Sequence, residues 1–211
     1  MTRRGRALPR SFYACDPLDL APRLLNKLLV RDVPGVGRVA ARLVEVEAYR
    51  GASDPGSHGY RGMTPRTTTM FGPPGRLYVY FTYGMHWCAN VVADHPLGDA
   101  GAVLLRAAIP VDGIDMMRAR RGVDGGRVPV DRELCAGPAR MCQAFGVTGA
   151  DDGADLTRGG LRLVDDGVPP PAEPFVSTRI GLSLGRGDDF PWRFCVPGEP
   201  HVSRAPRGEP G

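Results

Sequence analysis

Ala40-Ala41-Arg42-Leu43-Val44-Glu45-Val46-Glu47-Ala48-Tyr49 is the stretch from which the rest of the chain can be read. Its alternation describes a half-buried strand, with Val44, Val46 and Ala48 on one face and Glu45, Glu47 and Tyr49 on the other. A carboxylate among apolar neighbours is costly unless it is paired or put to use. A second run, Ala102-Val103-Leu104-Leu105-Arg106-Ala107-Ala108-Ile109, carries one arginine in its middle. The two oddities answer each other, since a guanidinium beside a glutamate holds it ionised at neutral pH.

Outward from that strand, Asp16-Pro17 offers an N-cap acceptor and a proline at the first helical position. Leu18, Leu24, Leu25 and Leu28 supply the apolar face that follows. Val30–Val33 and Gly37–Tyr49 read as strands joined by Pro34-Gly35-Val36-Gly37. Residues 50–76, rich in Gly, Pro, Ser and Thr, read as a long ordered loop, and its length together with His58 favours a functional role. Arg76–Phe81 and Trp87–Val92 form a β-hairpin with its tip at Tyr83-Gly84-Met85-His86, and Ala102–Ile109 is a further strand. Helices are expected over Gly113–Arg121 and over Glu133–Phe145, the second interrupted early by Gly137-Pro138. Residues 149–174 read as a surface excursion, and Val176–Leu182 and Trp192–Val196 return to strand character. Strands in hairpin order with helices packed on them predict an α+β fold. The expected architecture is a single compact domain over 11–204 with a curved, mostly antiparallel sheet and a protruding hairpin. Residues 1–10 would be a disordered basic arm and 205–211 a loose C-terminal tail.

At 211 residues and 42% hydrophobic content the chain can bury one sizeable core. A formal charge of +4 permits an anionic partner. Lys27 is the only lysine, which removes nearly every amine-based mechanism from consideration. Five cysteines without paired short spacings do not form a disulfide framework. On one continuous helix Cys135 and Cys142 would lie about 10 Å apart, beyond the roughly 7 Å that a disulfide can bridge. No apolar run is long enough to span a bilayer, and the basic start lacks a following apolar stretch. A cytoplasmic protein is expected.

Tyr78-Val79-Tyr80-Phe81-Thr82-Tyr83 packs three tyrosines and a phenylalanine into six residues. Tyr78 and Tyr80 share a strand face, while Tyr83 falls at the tip. A protruding aromatic on a β-ribbon suits insertion between stacked bases. Strands also favour aromatics for packing alone, so no one of these tyrosines decides the matter.

Several blocks together do. Leu43–Tyr49, Met63-Thr64-Pro65-Arg66, Leu77–Met85, Val103–Ala107, Leu134-Cys135-Ala136-Gly137-Pro138 and Arg179-Ile180-Gly181 closely resemble the alkyladenine (3-methyladenine) DNA glycosylase family, in the family's order, from about residue 12 to residue 204. The resemblance implies an enzyme that swings a damaged purine out of double-stranded DNA and hydrolyses its N-glycosidic bond, working as a nucleoid-associated monomer without metal or organic cofactor. It implies Glu47 as the general base and Arg106 as the residue that positions the water. By the same resemblance Tyr49 and Tyr80 sandwich the extruded base and His58 hydrogen-bonds its edge. Asn90 crowds the amine of normal guanine, the backbone near Ile180 contacts the water, and Tyr83, with Met85 beside it, enters the DNA stack. With no amine available to attack C1′, the expected product is an intact abasic site.

Other readings remain in view. Glu45 shares a face with Glu47 and reads as an arginine's salt-bridge partner; two carboxylates about 7 Å apart on one strand face cannot easily flank a scissile bond, which disfavours a glycoside hydrolase. His86, Cys88 and His95 have neither the number nor the spacing of a zinc site. Arg118, Arg120 and Arg121 suit either phosphate contacts or a solvated helix end. His86 and Trp87 stand where the family often has other aromatics. The alternative from another class is a silent binder of distorted duplex, which would need none of Glu47, Arg106 and His58 in this arrangement. The lesions that the resemblance implies are 3-methyladenine, 7-methylguanine, hypoxanthine and etheno-adducts.

Overall fold

The computed structural model describes residues 5–94, 99–122 and 127–204. In chain order the elements are β1 (Arg6–Ala7), α1 (Arg10–Tyr13), α2 (Pro17–Leu24), β2 (Leu28–Val33), β3 (Gly37–Tyr49), β4 (Leu77–Thr82), β5 (His86–Ala93), β6 (Gly101–Asp112), α3 (Ile114–Arg121), α4 (Asp131–Leu134), α5 (Pro138–Phe145), β7 (Leu161–Asp165), β8 (Phe175–Ser177) and β9 (Arg193–Cys195). The chain is α+β: one antiparallel sheet, not closed into a barrel, carries the helices.

The strand order is β1-β7-β2-β3-β6-β5-β4, and β9 pairs with β3 and β8 off that path. The thirteen-residue β3 is the organising strand. One of its edges pairs with β2 over Gly37–Arg42 and then with β9 over Glu45–Glu47; the other runs along β6. The β3–β6 ladder contains three irregularities, one between Ala40 and Ala41 and two near the glutamates that cancel each other. Leu43 faces Ala108 and Glu45 faces Ala107, leaving Val44 as an extra residue on β3. Val46 then faces Leu105, leaving Arg106 as an extra residue on β6. Bulges of this kind re-aim side chains locally. Here the side chain affected is Arg106.

Asp16 caps α2 by accepting the Leu18 N–H at 2.9 Å, and Pro17 opens the helix. Leu20, Ala21 and Leu24 then face β3. Helix α5 packs on β5 and β6 through Met141, Cys142, Ala144 and Phe145. These side chains and the inward faces of β3, β5 and β6 form the main core. That packing holds the carboxylate end of β3 rigidly against β6.

Four expectations change. Of the supposed basic arm, Arg6 and Ala7 pair with β7 and Leu8 is buried, because the outer edge of β7 offers unpaired backbone; residues 1–4, like the tail 205–211, lie outside the described residues. The excursion 149–174 contains β7, whose Leu161 and Leu163 join the core. Glu133–Phe145 is two helices, because Gly137 turns with φ +132° and Pro138 starts afresh. Strand character at Val176–Leu182 stops at Ser177, where the chain turns inward toward Glu47.

Candidate active site

The end of β3, the β4–β5 hairpin, β6 and the segment after β8 enclose a cleft of about 330 Å³. Tyr49, His58, Tyr78, Tyr80, Asn90, Arg106 and Ile180 all line it. Glu47 lies directly beneath three of these lining groups and is fully buried. One carboxylate oxygen accepts the Tyr49 hydroxyl at 2.9 Å and Arg106 Nη1 at 3.1 Å; the other accepts the Ile180 N–H at 2.7 Å. The alternation read from sequence therefore holds from Glu45 through Tyr49, with Val44 displaced from it by the bulge, and the arginine of the neighbouring strand reaches both carboxylates.

The walls are aromatic. Tyr78 and Tyr80 share one face of β4 with ring centroids 5.6 Å apart and planes inclined at 28°. His58 meets the Tyr80 ring edge-on at 4.5 Å, and its Nδ1 is 3.0 Å from the Tyr78 hydroxyl. Arg66 donates to the Phe81 carbonyl at 3.1 Å and lies over the Tyr80 ring. Asn90 stands opposite Tyr78 in the β4–β5 ladder and is pinned by its amide, which donates to the Tyr78 carbonyl at 3.3 Å.

Sequence reasoning gave Arg179 and Asp54 no role, yet they form the hub of the opposite wall. Both side chains are completely buried, and the guanidinium grips the carboxylate through two bonds of 2.6 and 2.7 Å. Arg179 also donates to the carbonyls of Ala48 and Gly187, and its guanidinium lies 4.6 Å from the Tyr49 ring centre and 5.0 Å from that of Trp192. Asp54 in turn accepts the N–H groups of Arg50 and Gly56. One ion pair thus backs the Tyr49 ring, fixes the start of the 50–76 loop and holds the peptide before Ile180, whose N–H reaches Glu47. Gly187 permits this: it has φ +67°, and a Cβ there would sit 2.6 Å from an Arg179 nitrogen. A lone arginine in a run otherwise read as strand was the available signal, the same one that marked Arg106.

Electrostatics separate the two glutamates. Burial pushes the Glu47 carboxyl up, and Arg106, the Ile180 N–H and the Tyr49 hydroxyl only partly counter it. For Glu45 burial acts the same way, but Arg106, Arg193 and the Ser203 N–H outweigh it and hold the carboxyl below its usual range. Desolvation and then the charge of Arg66 push His58 down, so its imidazole is neutral near pH 7. A buried carboxylate with a raised pKa, lying just beneath a cleft and steadied by a cation, suits proton abstraction.

At the hairpin tip, Thr82–Met85 closes a two-residue turn in which Tyr83 and Gly84 have φ of +52° and +66°. Positive φ at both central positions matches the twist of the flanking strands. The turn leaves Tyr83 82% exposed and Met85 68% exposed. Arg118, Arg120 and Arg121 instead bind Asp115, Asp131, the Ala144 carbonyl and Gln143, tying α3 to its helical neighbours. Lys27 is buried with its ammonium 3.0 Å from Asp165 and does not line the cleft. All five cysteines are free. Asp99 accepts the N–H groups of Ala52 and Ala100; residues 95–98, His95 included, lie outside the described residues. Among the described residues no three His, Cys, Asp or Glu side chains converge as a metal cage, and no helix is long and apolar enough to cross a membrane.

Comparison with known proteins follows the same segments. The sequence pattern of the family described as methylpurine-DNA glycosylase matches residues 11–200. A Burkholderia lata protein named "Putative 3-methyladenine DNA glycosylase" is 52% identical over 94% of this chain and 92% of its own length. Proteins of the same name from Streptomyces avermitilis and Carboxydothermus hydrogenoformans are 47% and 45% identical, each over 93% of this chain and over 90% and 98% of their own lengths.

Proposed function

Because the chain belongs to the methylpurine-DNA glycosylase family, we propose that its cleft receives a damaged purine extruded from double-stranded DNA and that Glu47 activates the water that releases it. The protein is a DNA repair glycosylase, a hydrolase of N-glycosyl bonds, and DNA is its partner. The finer reading assigns each group a task. Tyr83, flanked by Met85, enters the stack and holds the gap open. Tyr49 and Tyr80 sandwich the extruded base, His58 bonds its edge, and Asn90 crowds purines that carry guanine's amine.

Extrusion costs a few kcal/mol, least at a lesion that already pairs badly, and glycosylases are among that principle's own examples. Stacking on an aromatic ring returns about 1–3 kcal/mol per base contact. Two tyrosines are therefore enough to offset the cost. Water then attacks C1′ and loses a proton to Glu47. The new O–C1′ bond forms as C1′–N9 breaks, and the bonding pair leaves with the purine. Arg106 steadies both the carboxylate and the water, and the negative carboxylate stabilises the oxocarbenium-like sugar. The structure supports one change from the expectation: the Ile180 N–H serves Glu47 directly. With no lysine in the lining, the abasic strand is left uncut. We read the active species as a monomer at the bacterial chromosome.

The observation that carries this reading is the meeting of Glu47 and Arg106 under a cleft walled by Tyr49 and Tyr80. Glu47→Gln should bind lesion-bearing duplex yet lose base release by at least ~10². Near-normal release by that variant would remove Glu47 from the mechanism, and binding without release by the unaltered protein would leave only a sensor of distorted duplex.

A further inference from the structure

Behind the cleft floor lies a carboxylate to which the reaction just described gives no task. Glu45 is fully buried and takes part in four contacts. One oxygen accepts Arg106 Nε, Arg193 Nε and the Ser203 hydroxyl, each at 2.8 Å, and the other accepts the Ser203 N–H. The Ser203 hydroxyl also accepts Arg106 Nη2 at 3.1 Å. Arg193 is held from behind by the Ser177 hydroxyl and the Arg204 carbonyl. Every nitrogen of the Arg106 guanidinium is thereby committed: Nε to Glu45, Nη2 to Ser203, and Nη1 alone to Glu47.

We propose that Glu45, Arg193 and Ser203 form a positioning unit that aims Arg106 and sets the strength of Glu47 as a base. The proposal rests on the general-base reading of Glu47. An arginine facing one buried carboxylate would form a full ion pair, holding that carboxylate ionised and making it a weak proton acceptor. Arg106 instead divides its charge between two carboxylates, and Arg193 restores neutrality from the far side. The guanidinium has a donor for each glutamate, and the bulged backbone at Arg106 is what lets it span both. The groups facing Glu47 come from every neighbouring element: Tyr49 and Glu45 of β3, Arg106 of β6, Tyr80 of β4, Arg193 opposite it on β9, and the Ile180 N–H. Of these, Glu45 is the nearby negative charge that favours protonation of Glu47. The unit also makes the C-terminal segment part of the site, since Ser203 and Arg204 close it from a point remote in sequence from β3.

The test is single-turnover release of 7-methylguanine from duplex DNA across the acid-to-neutral range. That lesion is already cationic and departs neutral, so with the protein in saturating excess at every pH, which removes the effect of His58 on binding, the acid limb reports the base. Glu45→Gln removes the second carboxylate; because it leaves Arg193 buried without its partner, the charge-balanced double variant Glu45→Gln/Arg193→Gln is measured beside it. In whichever of the two folds, the acid limb should move to lower pH by about one unit, and the plateau rate should fall about tenfold with lesion affinity unchanged. Ser203→Ala keeps every charge, so its plateau rate should fall several-fold while its acid limb stays in place. A folded Glu45 variant with both limb and plateau unaltered would overturn the proposal, as would a pure loss of thermal stability. Glu47→Gln is run in parallel: if it still releases base, the failure belongs to the general-base reading; if it is inactive while the Glu45 variants behave as wild type, only the positioning unit fails.

Discussion

At the scale of single residues, hydroxyls and cations hold the groups of the cleft in place. Tyr49 is the clearest case, for its ring lines the cleft while its hydroxyl donates to Glu47 at 2.9 Å. Tyr49→Phe keeps the stacking face and loses that bond. Lesion affinity should hold, and the single-turnover rate should fall about tenfold; an equal loss in affinity would mean that the hydroxyl acts in binding. His58 yields a pH prediction with a definite sign. Its lowered pKa keeps it neutral until the solution becomes acidic, and below that point it adds a positive charge beside Arg66. Affinity for cationic 7-methylguanine should therefore drop as pH falls, affinity for neutral hypoxanthine should drop less, and His58→Gln should flatten the difference in equilibrium titrations. Glu47, Arg106 and Tyr49 were legible because each breaks a local pattern: charge within apolar strands, an aromatic at a strand end. Asp54 was not. In Ser53-Asp54-Pro55-Gly56 an aspartate looks like turn chemistry, and only the fold shows that a guanidinium from 125 positions away has taken both its oxygens.

At the scale of elements, the hairpin carries a built-in conflict. A tyrosine at φ +52° is an uncommon and strained conformation, and strain of that kind persists where the surroundings require it. Tyr83→Gly should leave the melting temperature unchanged or raise it slightly, by up to about 1 kcal/mol of stability. Lesion binding should fall at least tenfold, since no side chain remains to occupy the stack. A variant that lost stability while binding normally would contradict both halves. At the other end of the sheet, β1 and α1 are fastened by Arg10, which contacts Asp155 at 2.7 Å. Burial raises the Asp155 carboxyl, but bonds from Thr157 and the charges of Arg10 and Arg76 outweigh it and bring it down to about 2. Its stabilising contribution is thus complete above the ordinary carboxylate range and is lost as pH falls from about 4 toward 2. Asp155→Asn should be less stable at neutral pH and should flatten that part of the acid unfolding curve. The hairpin, β3 and β6 were readable from alternation and length. Strands β1 and β7 were not, because a two-residue strand has no period, and Leu161–Asp165 sits in Gly- and Asp-rich surroundings that resemble loop.

At the scale of the whole molecule, the charge of +4 is carried almost wholly by arginine, and much of it is spent inside. Arg106, Arg179 and Arg193 are buried, and α3 uses its arginines for packing. Phosphate contacts must come from the remaining exposed cations, so duplex affinity should fall at least about tenfold for a fourfold rise in salt, with a slope smaller than the arginine total suggests. A slope near zero in fluorescence titrations would contradict a DNA-binding face. Fold class was legible at this scale, because one alternating strand and one intruding arginine suffice to imply a sheet with a polar floor. The offset that brings the two strands together was not, since sequence carries no mark of where a ladder slips. Its two halves cancel, one surplus residue on each strand, so that Ala41–Leu43 and Val46–Tyr49 pair with β6 in the same phase. Heredity should therefore treat β3 unevenly: a changed letter at Val44 costs some packing, whereas losing that codon leaves the slip on β6 unmatched, and either the walls or the floor must then face the wrong way.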